Sequence, residues 1–207
     1  MSISPTDAPA APSRRHRVLE AAVTAFADHG FEGATWRGIA DRAGVSQGLI
    51  KFYFEDKAGL WRAALLHAHE SQQAELPSAP EGGWAAATHE QAAAWVRAFV
   101  RHAARHPDYI RMTVREAKEG SARIAWAADA ALREAHAAFQ DAVRALQARG
   151  ALVGLDTVSL QFAFLGAVHQ PFLAAEEIRV IHDRDPFGEA FVEAHAEAMV
   201  RVFLGDG

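Results

Sequence analysis

Apolar side chains recur every three or four residues along almost the whole chain, which is the spacing of one face of an α-helix. The first series begins at Arg14 and stops at Gly30, and glycine is a typical residue at the end of a helix. No segment shows the alternation of apolar and polar residues that a half-buried β-strand requires. The pattern therefore predicts an all-α fold with about nine helices.

Capping residues and helix breakers set the expected bounds of these helices. Thr35, Ser46 and Asp56 are suited to cap the helices that follow them, and Thr88 with Gln91 has the spacing of a capping box. The predicted helical segments are 14–29, 36–43, 46–52, 56–70, 88–106, 108–118, 121–149, 156–181 with a kink at Pro171, and 185–204 with Asp185 as N-cap and Pro186 at the first position. The segment 76–83 is the clearest loop.

Composition excludes several classes of protein. The chain has 207 residues, of which half are apolar, and it has no cysteine, so disulfides, cysteine nucleophiles and cysteine-ligated metals are excluded. No apolar run reaches the roughly 18 residues of a membrane span, and residues 1–13 lack the features of a signal peptide. We expect a cytoplasmic protein without membrane contact, whose residues 1–13 form a disordered leader.

Charge is distributed unevenly along the chain. Residues 13–70 carry eight basic and seven acidic side chains, whereas residues 71–207 carry 13 basic and 18 acidic ones. The net charge of −5 therefore belongs to the body of the protein. A nearly neutral N-terminal region can still present a local basic face to nucleic-acid phosphates.

Two short helices joined across Gly44 and Val45 are the most informative feature of the sequence. Gly44 can adopt the positive φ that a sharp turn between helices needs, and the side chain of Val45 can plug the space between them. The apolar residues of both helices then face inward, which leaves Gln47, Gly48, Lys51 and Phe52 pointing outward. This arrangement suits a recognition helix in the DNA major groove, although a tight helical corner with ordinary surface residues has the same spacing.

The stretch from Arg17 to Leu66, which contains FADHGFEGATWRGIADRAGVSQGLIKFYFEDKAGLWRAAL, resembles the DNA-binding region of the TetR/AcrR family of transcriptional regulators. The resemblance lies in AAxxxFxxxGF, in Thr35 before Ile-Ala, in AGVS, in YF, and in Asp-Lys before leucine. Lys51 departs from the family, which usually has tyrosine there, and Phe52 replaces a residue that is often histidine. The resemblance implies a three-helix helix-turn-helix domain over 14–56 and a helical domain for dimerisation and ligand binding over 57–207.

The resemblance also implies roles for individual residues. It places Thr35, Tyr53, Lys57 and Lys51 at phosphates, and Arg37, Gln47, Gly48 and Phe52 at bases, while Ser46 belongs to the same DNA-binding set. Trp36 either lies against the sugar-phosphate strand or packs inside, and the arginines at 14, 15 and 17 either contact DNA or form a solvated tail. The implied partner is double-stranded DNA with a palindromic operator.

In the body, the resemblance implies a homodimer formed by the last two helices and a cavity for an apolar or amphipathic small molecule. The predicted dimer interface contains Phe172, Phe191, His195, Met199 and Phe203. The predicted ligand pocket contains Trp95, Phe99, His102, Met112, Glu116, Trp126, Phe162 and His169, and Phe139 lies on the same apolar helices. The function that follows is a homodimeric repressor released from its operator by an inducer; the alternative is a regulator without an inducer that a protein partner controls.

No catalytic motif supports an enzyme. The chain has neither a glycine-rich phosphate loop nor a G-x-S-x-G or H-E-x-x-H sequence. His102 and His106 have the i,i+4 spacing of metal ligands, but Arg101 and Arg105 are interleaved with them and no carboxylate is evident nearby in the sequence. We therefore predict no enzymatic activity, no metal site and no cofactor.

Overall fold

The computed structural model of the protein describes residues 12–150 and 152–205, which form eleven α-helices and no strand. The all-α prediction is confirmed. The predicted leader falls mostly on residues 1–11, outside the described residues. The helices are α1 (Arg14–Gly33), α2 (Trp36–Ala43), α3 (Gln47–Tyr53), α4 (Lys57–Glu75), α5 (His89–Arg105), α6 (Pro107–Glu119), α7 (Ala122–Ala127), α8 (Arg133–Ala148), α9 (Thr157–Leu173), α10 (Ala175–His182) and α11 (Glu189–Leu204).

The predicted caps form as expected. The side chains of Thr35, Ser46 and Asp56 each accept a hydrogen bond from the backbone N–H three residues later, at 3.1, 3.3 and 2.6 Å. Thr88 and Gln91 form a reciprocal capping box at the start of α5. Side-chain acceptors satisfy N–H groups that have no partner in the first turn of a helix, so these sequence signals fix where α2 to α5 begin.

Two predicted helices are interrupted. A single π-helical turn at Ala128–Leu132 joins α7 to α8, and the chain bends by 65° between α9 and α10. The bend follows Pro171, which has no N–H to donate to the carbonyl of Ala167. The side chain of His195 lies beside this segment, with Nε2 3.2 Å from the carbonyl oxygen of Val168. If each interrupted helix is counted once, the nine predicted helices are recovered.

The predicted start of the last helix is wrong. Instead of capping a helix, Asp185 closes a turn: its Oδ1 accepts from the N–H of Phe187 at 3.2 Å, and its carbonyl accepts from the N–H of Gly188 at 3.1 Å. The helix begins at Glu189, with Gly188 as its N-cap. The Asp-Pro sequence favours a turn as well as a helix start, and here the turn forms.

The helices pack around two apolar clusters. The first contains the inner faces of α1, α2 and α3, the first half of α4, and Tyr109, Met112 and Ala127 from α6 and α7. The second joins α5, α9 and α11. Since α4 and α6 reach from the first cluster toward the second, they connect the N-terminal helices to the body.

One apolar helix pair is notable for its composition. In the described part of the chain, no single helix is long and apolar enough to cross a membrane. The pair α9 and α10 reaches the length and hydropathy of a membrane span only when its two members, which are bent by 65°, are taken together.

Candidate functional site

The turn between α2 and α3 has the predicted geometry. Gly44 lies in the left-handed region at φ 64° and ψ 42°, and its N–H bonds the carbonyl oxygens at the end of α2. Val45 is half-buried against the first apolar cluster, together with fully buried Ile39 and Ile50. These contacts fix the angle between the two helices and therefore determine which side of α3 faces solvent.

The outward face of α3 is the predicted one. Gln47, Gly48, Lys51 and Phe52 are all exposed, and Phe52 is 81% exposed although its side chain is large and apolar. Ile50 is fully buried on the opposite side. An exposed surface of one amide, one cation and one aromatic ring along a short helix has the polar and apolar groups that contact base edges.

The residues flanking α3 are divided between solvent and the interior. Trp36 is half-buried and packs against the first cluster, whereas Arg37 is exposed and lies 3.8 Å from the carboxylate of Asp41. The Tyr53 ring is half-buried, with its centroid 5.6 Å from that of Phe52. Of the two interpretations of Trp36, contact with the sugar-phosphate strand or internal packing, the structure agrees with packing. Arg37 remains available at the surface beside α3.

Lys57 makes contacts with the end of α1. Its Nζ donates to the carbonyl oxygen of Glu32 at 3.0 Å and lies 5.0 Å from the centroid of the Phe31 ring. Capping of the last carbonyls of a helix by a lysine is favourable. Thr35 is the N-cap of α2, Tyr53 is the last residue of α3, and Lys57 is the first residue of α4.

Neither the backbone conformation nor the packing of this chain requires glycine at position 48. Its φ is not positive, and a Cβ added there would meet only the Oγ of Ser46, at 3.9 Å. Gly44, by contrast, needs its left-handed conformation. The missing side chain of Gly48 therefore leaves free space on the outer surface of α3, where another molecule can approach the backbone.

A cavity of about 890 Å³ lies among α4, α5, α6, α8 and α9. Its wall contains the predicted residues Trp95, Phe99, Phe162 and His169, and also Phe139. The rings of Trp95 and Phe99 are stacked with centroids 5.0 Å apart. A mainly apolar cavity of this size is in the range that holds small organic ligands.

A few polar groups are buried in this apolar wall. Gln161, 2% exposed, accepts from Gln140 at 3.2 Å, and Nδ1 of His169 donates to the carbonyl oxygen of Leu165 at 2.7 Å. Burial lowers the pKa of His169 to about 4, so its imidazole is neutral at pH 7. The Nε2 atom of that tautomer is an acceptor.

Sequence reasoning missed two polar contributions to the cavity. Nδ1 of His69 lies 3.0 Å from the hydroxyl of Tyr109, and burial lowers the pKa of this histidine and raises that of the tyrosine. Gln161 was also missed. The sequence signal for Gln161 was its place in the very apolar helical segment 156–181, because a buried polar side chain must find a hydrogen-bond partner.

Four predicted pocket residues lie elsewhere. Met112 and Trp126 belong to the first apolar cluster, where Trp126 packs against Trp61. Glu116 is buried and bonds the Ser121 hydroxyl at the start of α7. His102 bonds the carboxylate at the end of α4. Helical periodicity identified these as inward residues but could not tell which of the two interiors each one faces.

Two of the five predicted dimer residues are buried, and three are half-buried. Phe172 and Met199 are buried within the single chain, and Phe203 lines the cavity with its ring centroid 5.1 Å from that of Phe164. The side chains of Phe191 and His195 are half-buried and lie beside each other. Phe172 and Met199 are therefore covered by this chain itself, whereas Phe203 is only half-buried, and the interface assignment stays a prediction.

Helix α6 connects the cavity wall to the N-terminal helices. Ile110, Thr113 and Val114 line the cavity, while Arg111 and Arg115 on the same helix reach the end of α1. Arg115 donates to the carbonyl oxygen of Asp28 at 3.4 Å. A molecule in the cavity that displaced α6 would therefore also displace α1, because Arg111 and Arg115 bond Asp28.

Comparison with known proteins agrees with this geometry. Residues 18–64 match the model for bacterial regulatory proteins of the tetR family. The transcriptional repressor AcnR of Corynebacterium glutamicum is 38% identical over 78 residues, which cover 38% of this chain and 40% of AcnR. The transcriptional regulator BetI of Pectobacterium carotovorum is 46% identical over 54 residues, covering 26% of this chain and 28% of BetI. The chain thus matches less than half of the length of these relatives.

The whole fold is shared with solved structures at low identity. AibR, crystallised in complex with isovaleryl coenzyme A and operator DNA, has a TM-score of 0.66 and 17% identity, over 94% of this chain and all of that one. The fatty acid degradation regulator FadR from Bacillus halodurans has a TM-score of 0.60 and 18% identity, over 92% of this chain and 98% of FadR. The relatives found by sequence are named as repressors and regulators, in agreement with the prediction that the protein is not an enzyme.

Proposed function

We propose that the protein is a transcriptional repressor that binds operator DNA through α2 and α3, since residues 18–64 match the model for bacterial regulatory proteins of the tetR family. The observation that carries the proposal is the outward face of α3. Gln47, Lys51 and Phe52 are exposed on a helix that the buried Ile50 fixes, and Gly48 leaves its backbone open.

The groups on this face suit the major groove. The amide of Gln47 can form two hydrogen bonds with adenine, and the ring of Phe52 can contact a thymine methyl group. Lys51 supplies a cation for a phosphate. The exposed Arg37 on α2 can donate hydrogen bonds to a base edge. Contacts of the backbone and side chains of Thr35, Tyr53 and Lys57 with phosphates would set the orientation of the domain.

The cavity supports control by a small molecule. Its volume of about 890 Å³ and its mainly apolar wall fit an apolar or amphipathic effector, and the neutral imidazole of His169 and the amide of Gln161 offer polar contacts. AibR, with the same fold, was crystallised with isovaleryl coenzyme A and operator DNA. A core filled with side chains would instead have favoured control by a protein partner.

The two connecting helices provide a mechanism for release. His69 and Gln72 of α4 line the cavity, while Leu60 and Trp61 at the other end of α4 pack in the first cluster. An effector that fits best when α4 and α6 are displaced shifts the population toward a state in which the N-terminal domains are tilted. Coupling of this kind between two sites is worth typically about 1–3 kcal/mol.

A homodimer completes the proposal, formed by α9 and α11 through side chains other than the buried Phe172 and Met199. Phe162 and Leu173 on α9 and Val202 on α11 are 59%, 38% and 65% exposed. A second copy of the chain can cover these side chains by packing its α9 and α11 against them as a four-helix bundle. Two recognition helices one DNA turn apart, about 34–36 Å, would then read a palindromic operator.

Binding-site selection from a library of random duplexes tests the proposal. We expect the full-length protein to enrich an inverted repeat and the Gln47→Ala variant to enrich the same repeat with relaxed preference at one position of each half-site. The affinity of the variant for random duplexes should be nearly unchanged. Failure of the wild-type protein to enrich any motif at low salt would contradict the proposal.

A further inference from the structure

Three side chains of the types that bind metals meet where the first turn of α1 packs on the middle of α4. One nitrogen or oxygen atom from each of His16, Glu20 and His67 lies within 4.8 Å of the other two. Nε2 of His67 contacts Oε1 of Glu20, and the rings of the two histidines are edge-on with centroids 4.8 Å apart. The cluster thus contains two imidazoles and one carboxylate.

The backbone holds these groups in place before any ligand binds. His16 and Glu20 are four residues apart and so share one face of α1. The facing helix contributes His67, and buried residues of the first apolar cluster, among them Leu19 and Ala64, hold α1 and α4 together. Only short side-chain movements would then bring the donor atoms to the spacing of ligands around one ion.

We propose that His16, Glu20 and His67 form a binding site for a divalent transition-metal cation of the zinc class. Two nitrogen donors and one carboxylate oxygen, with water as a fourth ligand, are an established ligand set for tetrahedral Zn²⁺. The side chain of Glu20 is 54% exposed, so the ion can reach the site from solvent.

A second cluster with the same donor types is less suitable. Donor atoms of Glu75, His102 and His106 also lie within 4.8 Å of one another, and Glu75 supplies the carboxylate that the sequence did not reveal. However, Nη2 of Arg105 lies 2.5 Å from Oε2 of Glu75, so a cation there would have to displace a guanidinium. His102 is also only 1% exposed. At the first cluster, the ion-pair partner of Glu20 is His67.

An ion bound at this site would connect two helices, α1 and α4. A cation bound by all three residues would fasten the first turn of α1 to α4 at His67. This point lies between the part of α4 in the first apolar cluster and His69 and Gln72, which line the cavity. The inference requires neither DNA binding nor an effector, so its failure would leave the proposed function standing.

Titration with Co²⁺ and Zn²⁺ tests the site directly. The full-length chain without a polyhistidine tag is treated with a chelator, dialysed and titrated with Co²⁺, whose visible absorption reports coordination by nitrogen and oxygen ligands. We expect one Co²⁺ per chain, displaced by Zn²⁺, and a higher midpoint of thermal unfolding when Zn²⁺ is bound. Absence of a saturable cobalt spectrum in the wild-type protein would overturn the proposal.

Matched variants distinguish the two clusters. We expect His67→Gln and Glu20→Gln to weaken Zn²⁺ binding by more than about 100-fold, which exceeds the usual effect of losing an outer-shell partner. Glu75→Gln should bind Zn²⁺ as the wild-type protein does. The opposite result, with binding lost in Glu75→Gln and kept in His67→Gln, would overturn the proposal. If circular dichroism shows that His67→Gln does not fold, His16→Gln at the exposed start of α1 provides the same comparison.

Discussion

Nη2 of Arg111 on α6 lies 3.0 Å from Oδ1 of Asp28 on α1. This ion pair joins α6, which lines the cavity, to the last turns of α1. Asp28 also pairs with Arg42 of α2, at 3.4 Å. One carboxylate therefore holds together an element of the cavity wall and the helices α1 and α2. This relationship is a direct physical link between the body and the surface that carries α3.

We expect Asp28→Asn to weaken this junction. Ion pairs that are partly exposed contribute up to about 1 kcal/mol, and Asp28 makes two of them, so the free energy of unfolding should fall by roughly 1 kcal/mol. Urea denaturation measures this change. Asp141→Asn, which removes an exposed pair with Arg144 within α8, is the matched control and should have almost no effect. Equal losses in both variants would argue against a special role for Asp28.

Replacement of Gly48 by alanine should separate stability from DNA binding. Because a Cβ at this position meets only Ser46 at 3.9 Å, Gly48→Ala should leave the fold intact and stabilise α3 by up to about 1 kcal/mol. The same methyl group would stand between the helix backbone and DNA, so operator affinity should fall at least tenfold. Thermal unfolding and fluorescence anisotropy report the two effects. Unchanged affinity would show that DNA does not approach the backbone here.

The buried neutral His169 should make stability depend on pH. Its pKa is about 4 in the folded chain and about 6.5 when unfolded, so the unfolded chain takes up a proton first as the pH falls. Stability is therefore full above pH 6.5 and is lost between pH 6.5 and 4, by up to about 3 kcal/mol at roughly 1.4 kcal/mol per pH unit. Urea unfolding of wild type and His169→Gln across this range should give a flatter profile for the variant; parallel profiles would contradict the assignment.

A charge at Val202 should break the proposed dimer. The side chain is 65% exposed on α11, so Val202→Asp leaves the single chain folded but places a carboxylate in the interface. Sedimentation velocity should show monomers for this variant. Val153→Asp, at a similarly exposed residue before α9, should sediment as a dimer like the wild-type protein. A dimeric Val202→Asp protein would place the interface elsewhere.

Local signals predicted the N-terminal half of the fold well. The caps at Thr35, Ser46 and Asp56 act through atoms three residues away, and the turn at Gly44 depends on one backbone conformation. A short stretch of sequence is therefore enough to predict where α2, α3 and α4 begin. The exposed face of α3 followed from the same short-range geometry.

Longer-range features could not be predicted in the same way. The periodicity of α9 and α11 showed that Phe172 and Met199 avoid water, but only the packing shows that this chain itself buries them. Metal-type clusters are also non-local: Glu20 and His67 are separated by 47 residues. Such pairs depend on how α1 and α4 dock, which helical spacing does not encode.

The salt dependence of operator binding by Lys51→Ala tests the central claim most directly, since that claim assigns DNA contact to the outer face of α3. The logarithm of the affinity should fall linearly with the logarithm of the salt concentration. We predict that Lys51→Ala reduces the slope by about one per half-site, whereas Lys118→Ala, at an exposed lysine in the last turn of α6, leaves it unchanged. Identical slopes for wild type and Lys51→Ala would contradict the account.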